Sequence, residues 1–258
     1  MKNALFTSVC KTLRLRLCRM LATMNGKTMV HVFHIGRTGG SAVKYALRRG
    51  RPVITGKHIV FTHGHRFGFK DVLPGEKVVF FIRDPIDRFI SAFYYRRSKG
   101  QPWYYFEWSD AEREAFGTFK TPNELAAALS SGDPDKREKA VKAMKNIAHV
   151  NTSYWRWFIN EEYFSSRKSD ILFIGATSDL NGDFIRLKKI LDLPKDIELP
   201  LDDEQKNANP PDVDRSLDDG SRINLKSWYS RDFQFLELLK SSDLLKSPGP
   251  ISSTAANR

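Results

Sequence analysis

Three short segments of this chain carry residues whose types and spacing suit chemistry on an anion. The first is Gly36-Arg-Thr-Gly-Gly-Ser41, a turn between an apolar run and a helical one. Gly36, Gly39 and Gly40 let backbone N–H groups approach a phosphate closely, Arg37 adds a permanent charge, and Thr38 and Ser41 add hydroxyl donors. The second is Arg83-Asp-Pro-Ile-Asp-Arg-Phe-Ile-Ser91. Here Arg83 ends a strand-like run, Asp84 is placed to cap the helix that follows, and Pro85 stands in its first turn. Arg83 and Ser91 can then reach one anion from two directions. Between them lie His63 and His65, and an imidazole suits removal of a proton from a hydroxyl at neutral pH. Each segment also has a plainer reading by itself: a tight connection, a capped helix with surface arginines, and loop histidines without a task.

The elements around these segments alternate. Val30–Ile35 reads as a buried strand and Ser41–Arg49 as a helix after its glycine turn. Pro52–Thr55 and His58–Phe61 read as short strands, and Lys77–Ile82 as a central parallel strand, apolar throughout. Ile86, Phe89, Ile90, Phe93 and Tyr94 form one stripe, which predicts a helix over Ile86–Lys99. Asp170–Gly175 is a further strand, followed by a helix at about Leu180–Leu191. The expectation is an α/β fold with a P-loop-like parallel β-sheet flanked by helices. Trp103–Phe164 is helical and rich in aromatics, and predicts a helical insertion in the middle of the chain at about 103–168. Its aromatic residues read mainly as core, with stacking on a sugar ring the less favoured use of any one of them. Pro194–Asp219 reads as irregular, Ser221–Lys246 as one or two amphipathic helices, and 247–258 as a disordered tail.

A length of 258 residues with 41% hydrophobic content suits a single domain, taken as 30–246. The formal net charge of +12 attracts anions without choosing among nucleotides, nucleic acid, acidic sugars and lipid headgroups. Cys10 and Cys18 both lie in the leader, which excludes a cysteine metal site in the body of the protein and suggests no disulfide framework. The histidines lack zinc spacing and the acidic residues do not cluster as magnesium ligands, so no metal is expected. No apolar stretch approaches a bilayer span. In the leader, 1–29, Leu5, Val9, Leu13, Leu17 and Leu21 recur at helical spacing among Lys11, Arg14, Arg16 and Arg19. The arginines exclude a secretory signal. Three uses remain: a basic amphipathic helix on an anionic membrane or partner, a peripheral helix packed on the domain, or sequence ahead of a start at Met24 or Met29, the first being less favoured. No span, export signal or paired cysteines together predict a cytoplasmic protein, at most peripheral to a membrane.

Taken together, the segments resemble the two cofactor motifs of sulfotransferases that use 3′-phosphoadenosine-5′-phosphosulfate (PAPS). The likeness is to the carbohydrate branch, whose first motif runs His-Ile-Pro-Lys-Thr-Gly-Gly-Thr and whose second runs Arg-Asp-Pro-x-x-Arg-x-x-Ser. Phe61-Thr-His-Gly-His-Arg-Phe67 is similar to the His-Gly-His stretch of the heparan and uronyl 2-O-sulfotransferases, and Ile174-Gly-Ala-Thr-Ser-Asp-Leu180 is similar to a later strand of that family. The likeness covers about Val30–Tyr95 and Asp170–Leu193. It implies that Gly36–Ser41 wraps the 5′-phosphosulfate, that Arg83 and Ser91 hold the 3′-phosphate, and that His65 is the base with His63 second, contacting substrate or orienting the site. It implies further that Lys206 and Asn207 contact adenine or the 3′-phosphate. His34 matches a motif position and packs or orients the loop; His58 and His149 receive no role. Arg37 stands where the family has a lysine on the bridging oxygen. It keeps the charge, but is longer and planar and does not donate a proton at neutral pH.

The leading expectation is therefore sulfuryl transfer from PAPS to a carbohydrate or glycoconjugate hydroxyl. A P-loop kinase or nucleotide hydrolase is the runner-up, but its Gly-x4-Gly-Lys-Ser/Thr motif is missing. A nucleotide-binding protein on an inactive transferase scaffold is the third reading. No nucleic-acid module is recognisable, so nucleic acid is not expected as a partner.

Overall fold

A computed structural model describes residues 2–47, 51–206, 209, 212–242 and 244–245, with side chains undescribed for 2–11 and 204–205. Its centre is a five-stranded sheet in the order β2-β3-β1-β4-β5. The strands are β1 (Thr28–Val32), β2 (Val53–Ile54), β3 (His58–Thr62), β4 (Lys77–Ile82) and β5 (Ile171–Ala176). Only the short edge strand β2 is antiparallel to its neighbour; β3, β1, β4 and β5 run parallel. The loops leaving these four strands consequently emerge at one edge, where open parallel sheets hold ligands.

β4 explains why its sequence is apolar without alternation. Val79 and Phe81 face α2 (Gly40–Ala46) and α9 (Leu180–Leu191), where they pack with Val43, Leu187 and Leu191. Val78, Phe80 and Ile82 face the other way into Tyr154, Trp157, Phe158, Phe164 and Phe235. A strand covered on both faces needs an apolar residue at every position. Phe235 belongs to α12 (Ser230–Ser241), and the others to the stretch around α7 (Trp155–Phe158) and α8 (Glu161–Ser166). These middle aromatics are core, whereas Tyr104, Tyr105 and Phe106 are exposed.

A third cluster joins α3 (Pro85–Arg97) to α4 (Asp110–Thr118), α5 (Pro122–Ala128), α6 (Pro134–Asn146) and α11 (Asp219–Trp228). All elements between β4 and β5 are helical, and a short α10 (Asp203–Lys206) interrupts the irregular stretch before α11. The ends of the predicted helices at Arg49 and Lys246, Asn207 and the tail 247–258 lie outside the described residues.

The leader packs on the domain with only part of its leucine stripe turned inwards, Leu21 lying against the buried cluster. It forms α1 (Lys2–Met24), which buries Cys18 and Ala22 against Met29, Ile59 and Phe61. Leu13 and Leu17, on the stripe read from the sequence, are exposed. Small side chains let the helix lie close to the sheet, and Arg19 fixes it with a two-pronged ion pair to Glu76, 2.7 and 2.8 Å.

Candidate active site

The turn after β1 is shaped by bonds made within the protein. Arg37 has φ 65° and Gly39 φ 79°, two left-handed residues in three, and Gly39 caps α2. The Arg88 guanidinium donates to the Gly36 carbonyl at 3.0 Å, and the Thr38 hydroxyl donates to the Ile35 carbonyl at 3.1 Å. Thr38 is buried and braces the turn from inside. Gly40 must lack a side chain, because a Cβ there would stand 2.3 Å from the ring of His34.

The second segment meets the first directly. Asp84 accepts from the Ile86 and Asp87 N–H groups as the cap of α3, with Pro85 in the first turn. Arg83 is held at the backbone by Tyr154, whose hydroxyl accepts from the Arg83 N–H (2.9 Å) and donates to its carbonyl (2.7 Å). Ser91 Oγ accepts from Arg37 Nε at 3.0 Å. Arg37 also donates to Asn209 Oδ1 at 2.7 Å and lies 4.5 Å over the ring of Tyr95. Burial, opposed by Tyr95 and assisted by the nearby Arg83, lowers the Arg37 pKa to about 10. Arg88 differs from its expected place on a surface flank: it is buried, because Asp232 and the Gly36 carbonyl supply partners inside the fold.

These groups line one cleft of about 250 Å³. Arg37, Gly39, Gly40, Ser41, His65, Arg83, Ser91 and Lys206 all reach it, together with His34, Tyr95, His149, Thr177, Asn209 and Arg215. Among the described residues four cations line it and no carboxylate does. The Arg83 pKa is lowered, by burial first, with Arg215 acting in the same direction against Asp87. The Arg83 guanidinium makes no hydrogen bond or ion pair to another described residue, whereas Lys206 sits 3.5 Å from Asp203.

His65 enters from the loop after β3. Its Nδ1 bonds the His34 carbonyl at 3.0 Å, and the two rings stack with centroids 4.0 Å apart. A carbonyl only accepts, so Nδ1 carries the proton and Nε2 of the neutral ring carries the lone pair. The protein packed round the ring lowers its pKa; Lys44, Arg156 and Arg88 act in the same direction, and the His34 bond opposes them. His149, with its ring 5.4 Å from that of His65, is pushed down to about 3, chiefly by burial. The site therefore presents neutral imidazoles beside permanent cations.

His63 does not line this cleft. It is buried and stacked on Phe67 at 3.4 Å, with its Nε2 2.9 Å from His31 Nδ1. His31 Nε2 in turn bonds Glu76 at 2.9 Å, so a buried chain runs from Arg19 through Glu76 and His31 to His63. A second cavity of about 400 Å³ lies beside it, lined by Thr12, Leu15, Phe61, His63, Gly64, His65, Arg66, Phe67 and Asp71. Among the described residues His65 alone lines both this cavity and the anion cleft.

Burial alone would raise the Glu76 pKa, but the hydrogen bonds from His31 and Arg19 bring it down to about 2. Against an unfolded value near 4.3, that corresponds to about 3 kcal/mol of stability. Because the folded value is the lower one, this contribution is complete above the unfolded pKa and disappears as pH falls towards 2. Glu76→Gln is expected to lower the urea midpoint clearly at neutral pH, with the gap to wild type about halved at pH 3 and closing towards about pH 2. A constant gap across that range would show that the carboxylate's charge is not what stabilises.

Gly36 and Thr38 support the turn from behind and His63 serves the second cavity. Tyr95, His149, Asn209 and Arg215 belong to no local sequence pattern, and only the fold brings them into the cleft. Among the described residues no group of three or more histidine, cysteine, aspartate or glutamate side chains is placed to hold a metal ion.

No curated protein matches the chain. The model of the sulfotransferase family matches residues 55–238, which includes β3, β4, β5, His63, His65, Arg83 and Ser91 but not the glycine turn. That match spans well over half of the sequence, and the chain belongs to the sulfotransferase family.

Proposed function

We propose that this chain moves the sulfuryl group of PAPS to a hydroxyl of a carbohydrate acceptor, as a member of the branch that contains the heparan and uronyl 2-O-sulfotransferases. The observation that carries the reading is the cleft itself: four cations, no carboxylate and a neutral histidine lining one space. A donor with phosphate groups at both the 3′ and 5′ positions needs charge at two points, and Arg37 and Arg83 supply it from two strand ends. In this reading Arg37, Gly39, Gly40 and Ser41 face the 5′-phosphosulfate, while Arg83 and Ser91, with Lys206 and Arg215, face the 3′-phosphate.

The reaction then runs as an in-line displacement. The acceptor oxygen forms its bond to sulfur as its proton passes to His65 Nε2. The bond from sulfur to the bridging oxygen breaks, and its electrons remain on the 5′-phosphate of adenosine 3′,5′-bisphosphate. Arg37 stabilises the charge growing on that oxygen, and the rigid placement of both reactants supplies much of the rate. The acceptor occupies the second cavity, which His65 also lines and where Arg66 offers a charge for an acidic sugar.

Calorimetric titration tests the donor assignment. Adenosine 3′,5′-bisphosphate is expected to bind at least about tenfold more tightly than adenosine 5′-monophosphate, the worth of a charged hydrogen bond. Preferential binding of ATP with magnesium would overturn the reading in favour of a kinase or hydrolase.

A further inference from the structure

We propose that α1 docks this protein flat on an anionic membrane surface. Its inner face is committed to the domain through Cys18, Arg19 and Ala22. Its outer face carries Leu13, Leu17, Met20 and Met24, which are 58%, 49%, 53% and 75% exposed. Their spacing of four, three and four residues places them in one narrow stripe, directly opposite the buried side chains. At that periodicity Arg14 and Arg16 fall about a quarter turn to either side of the stripe, and both are exposed. Lys2–Met24 contains no acidic residue.

An apolar stripe flanked on both sides by arginines matches the boundary between acyl chains and anionic headgroups, with the arginine stems reaching up to phosphate. The helix already lies tangentially on the domain, so docking requires no rearrangement. A second copy of this chain is the poorer occupant. Helix pairing across the stripe would bring the two sets of Arg14 and Arg16 together with no carboxylate on either helix to neutralise them. Nor does α1 span: no helix among the described residues is long and apolar enough to cross a membrane.

The test is co-sedimentation of the full chain with phosphatidylcholine vesicles, with and without phosphatidylserine. Wild type is expected to bind the anionic vesicles and not the neutral ones, and added salt is expected to weaken binding. Leu17→Glu/Met20→Glu should lower the vesicle partition coefficient by about tenfold or more, and Arg14→Glu/Arg16→Glu should do likewise. All four side chains are exposed, so circular dichroism and binding of adenosine 3′,5′-bisphosphate serve as controls that the domain is intact. Retained vesicle binding in Leu17→Glu/Met20→Glu would assign it to the general positive charge and overturn the proposal. So would binding of wild type to neither vesicle, or a dimer in sedimentation velocity that the same variant dissociates. Vesicle binding is read without turnover, so its outcome is separate from that of the sulfotransfer assignment.

Discussion

His65→Ala is expected to lower turnover by about 10²- to 10⁴-fold, the usual worth of the general base proposed for it, and to leave the affinity for adenosine 3′,5′-bisphosphate nearly unchanged. His65 lines the anion cleft, but its Nδ1–H is spent on the His34 carbonyl, so in the proposed mechanism its contribution to holding an anion is small and its contribution to proton removal is large. Turnover and calorimetry on one preparation separate the two; an equal loss in both would make His65 a structural residue. The pH profile supplies a second readout. A base must be neutral to act, and the folded pKa of His65 is below the ordinary 6.5. kcat/KM is therefore expected to be flat through neutrality and to fall only as pH drops through that lowered value. Arg156 is among the cations that depress it, so Arg156→Gln should move the acid limb upward. A limb close to 3 would point instead to His149.

What could be read from the sequence, and what could not, divides along the range of the interactions involved. Lys77–Ile82 and Leu180–Leu191 fall where the periodicity placed them, since burial on two faces and an amphipathic stripe are local patterns. The first strand is Thr28–Val32 instead of Val30–Ile35, because Phe33 and Ile35 are buried after the chain leaves the sheet, and an apolar run alone does not distinguish those states. For α1 the sequence showed one leucine stripe, but Cys18 and Ala22 are what face the sheet, and Arg19 meeting Glu76 from a distant loop holds that face inwards. The glycine turn and the Arg83 segment were legible because strand, turn and helix follow one another in the chain. Arg37 bonded to Ser91 and Asn209 was not, since those partners lie 54 and 172 residues away. His149 gave no signal either: its left-handed backbone, φ 68°, and its approach to Gly36 exist only in the fold.

Arg83→Ala is expected to weaken binding of adenosine 3′,5′-bisphosphate by about 10- to 100-fold, in line with about 1.5–3 kcal/mol for a hydrogen bond to a charged group, and to leave adenosine 5′-phosphosulfate almost unaffected. The cations of the cleft differ in how far they are already engaged. Arg37 is tied to Ser91, Asn209 and Tyr95, and Lys206 stands near Asp203. Arg83 has its backbone clamped by Tyr154 while its guanidinium makes no bond to another described residue, so it is positioned and available. Burial and Arg215 both act against its charge, and a bound phosphate would relieve both. Adding a 3′-phosphate should accordingly gain more affinity in wild type than in the variant. Calorimetry with the two nucleotides gives that difference directly, and Arg83→Lys should recover part of it, since an ammonium restores the charge without the planar fork. Should the alanine variant lose both ligands equally, Arg83 would be supporting the cleft as a whole, and the 3′-phosphate would have to be sought at Arg215 and Lys206 instead.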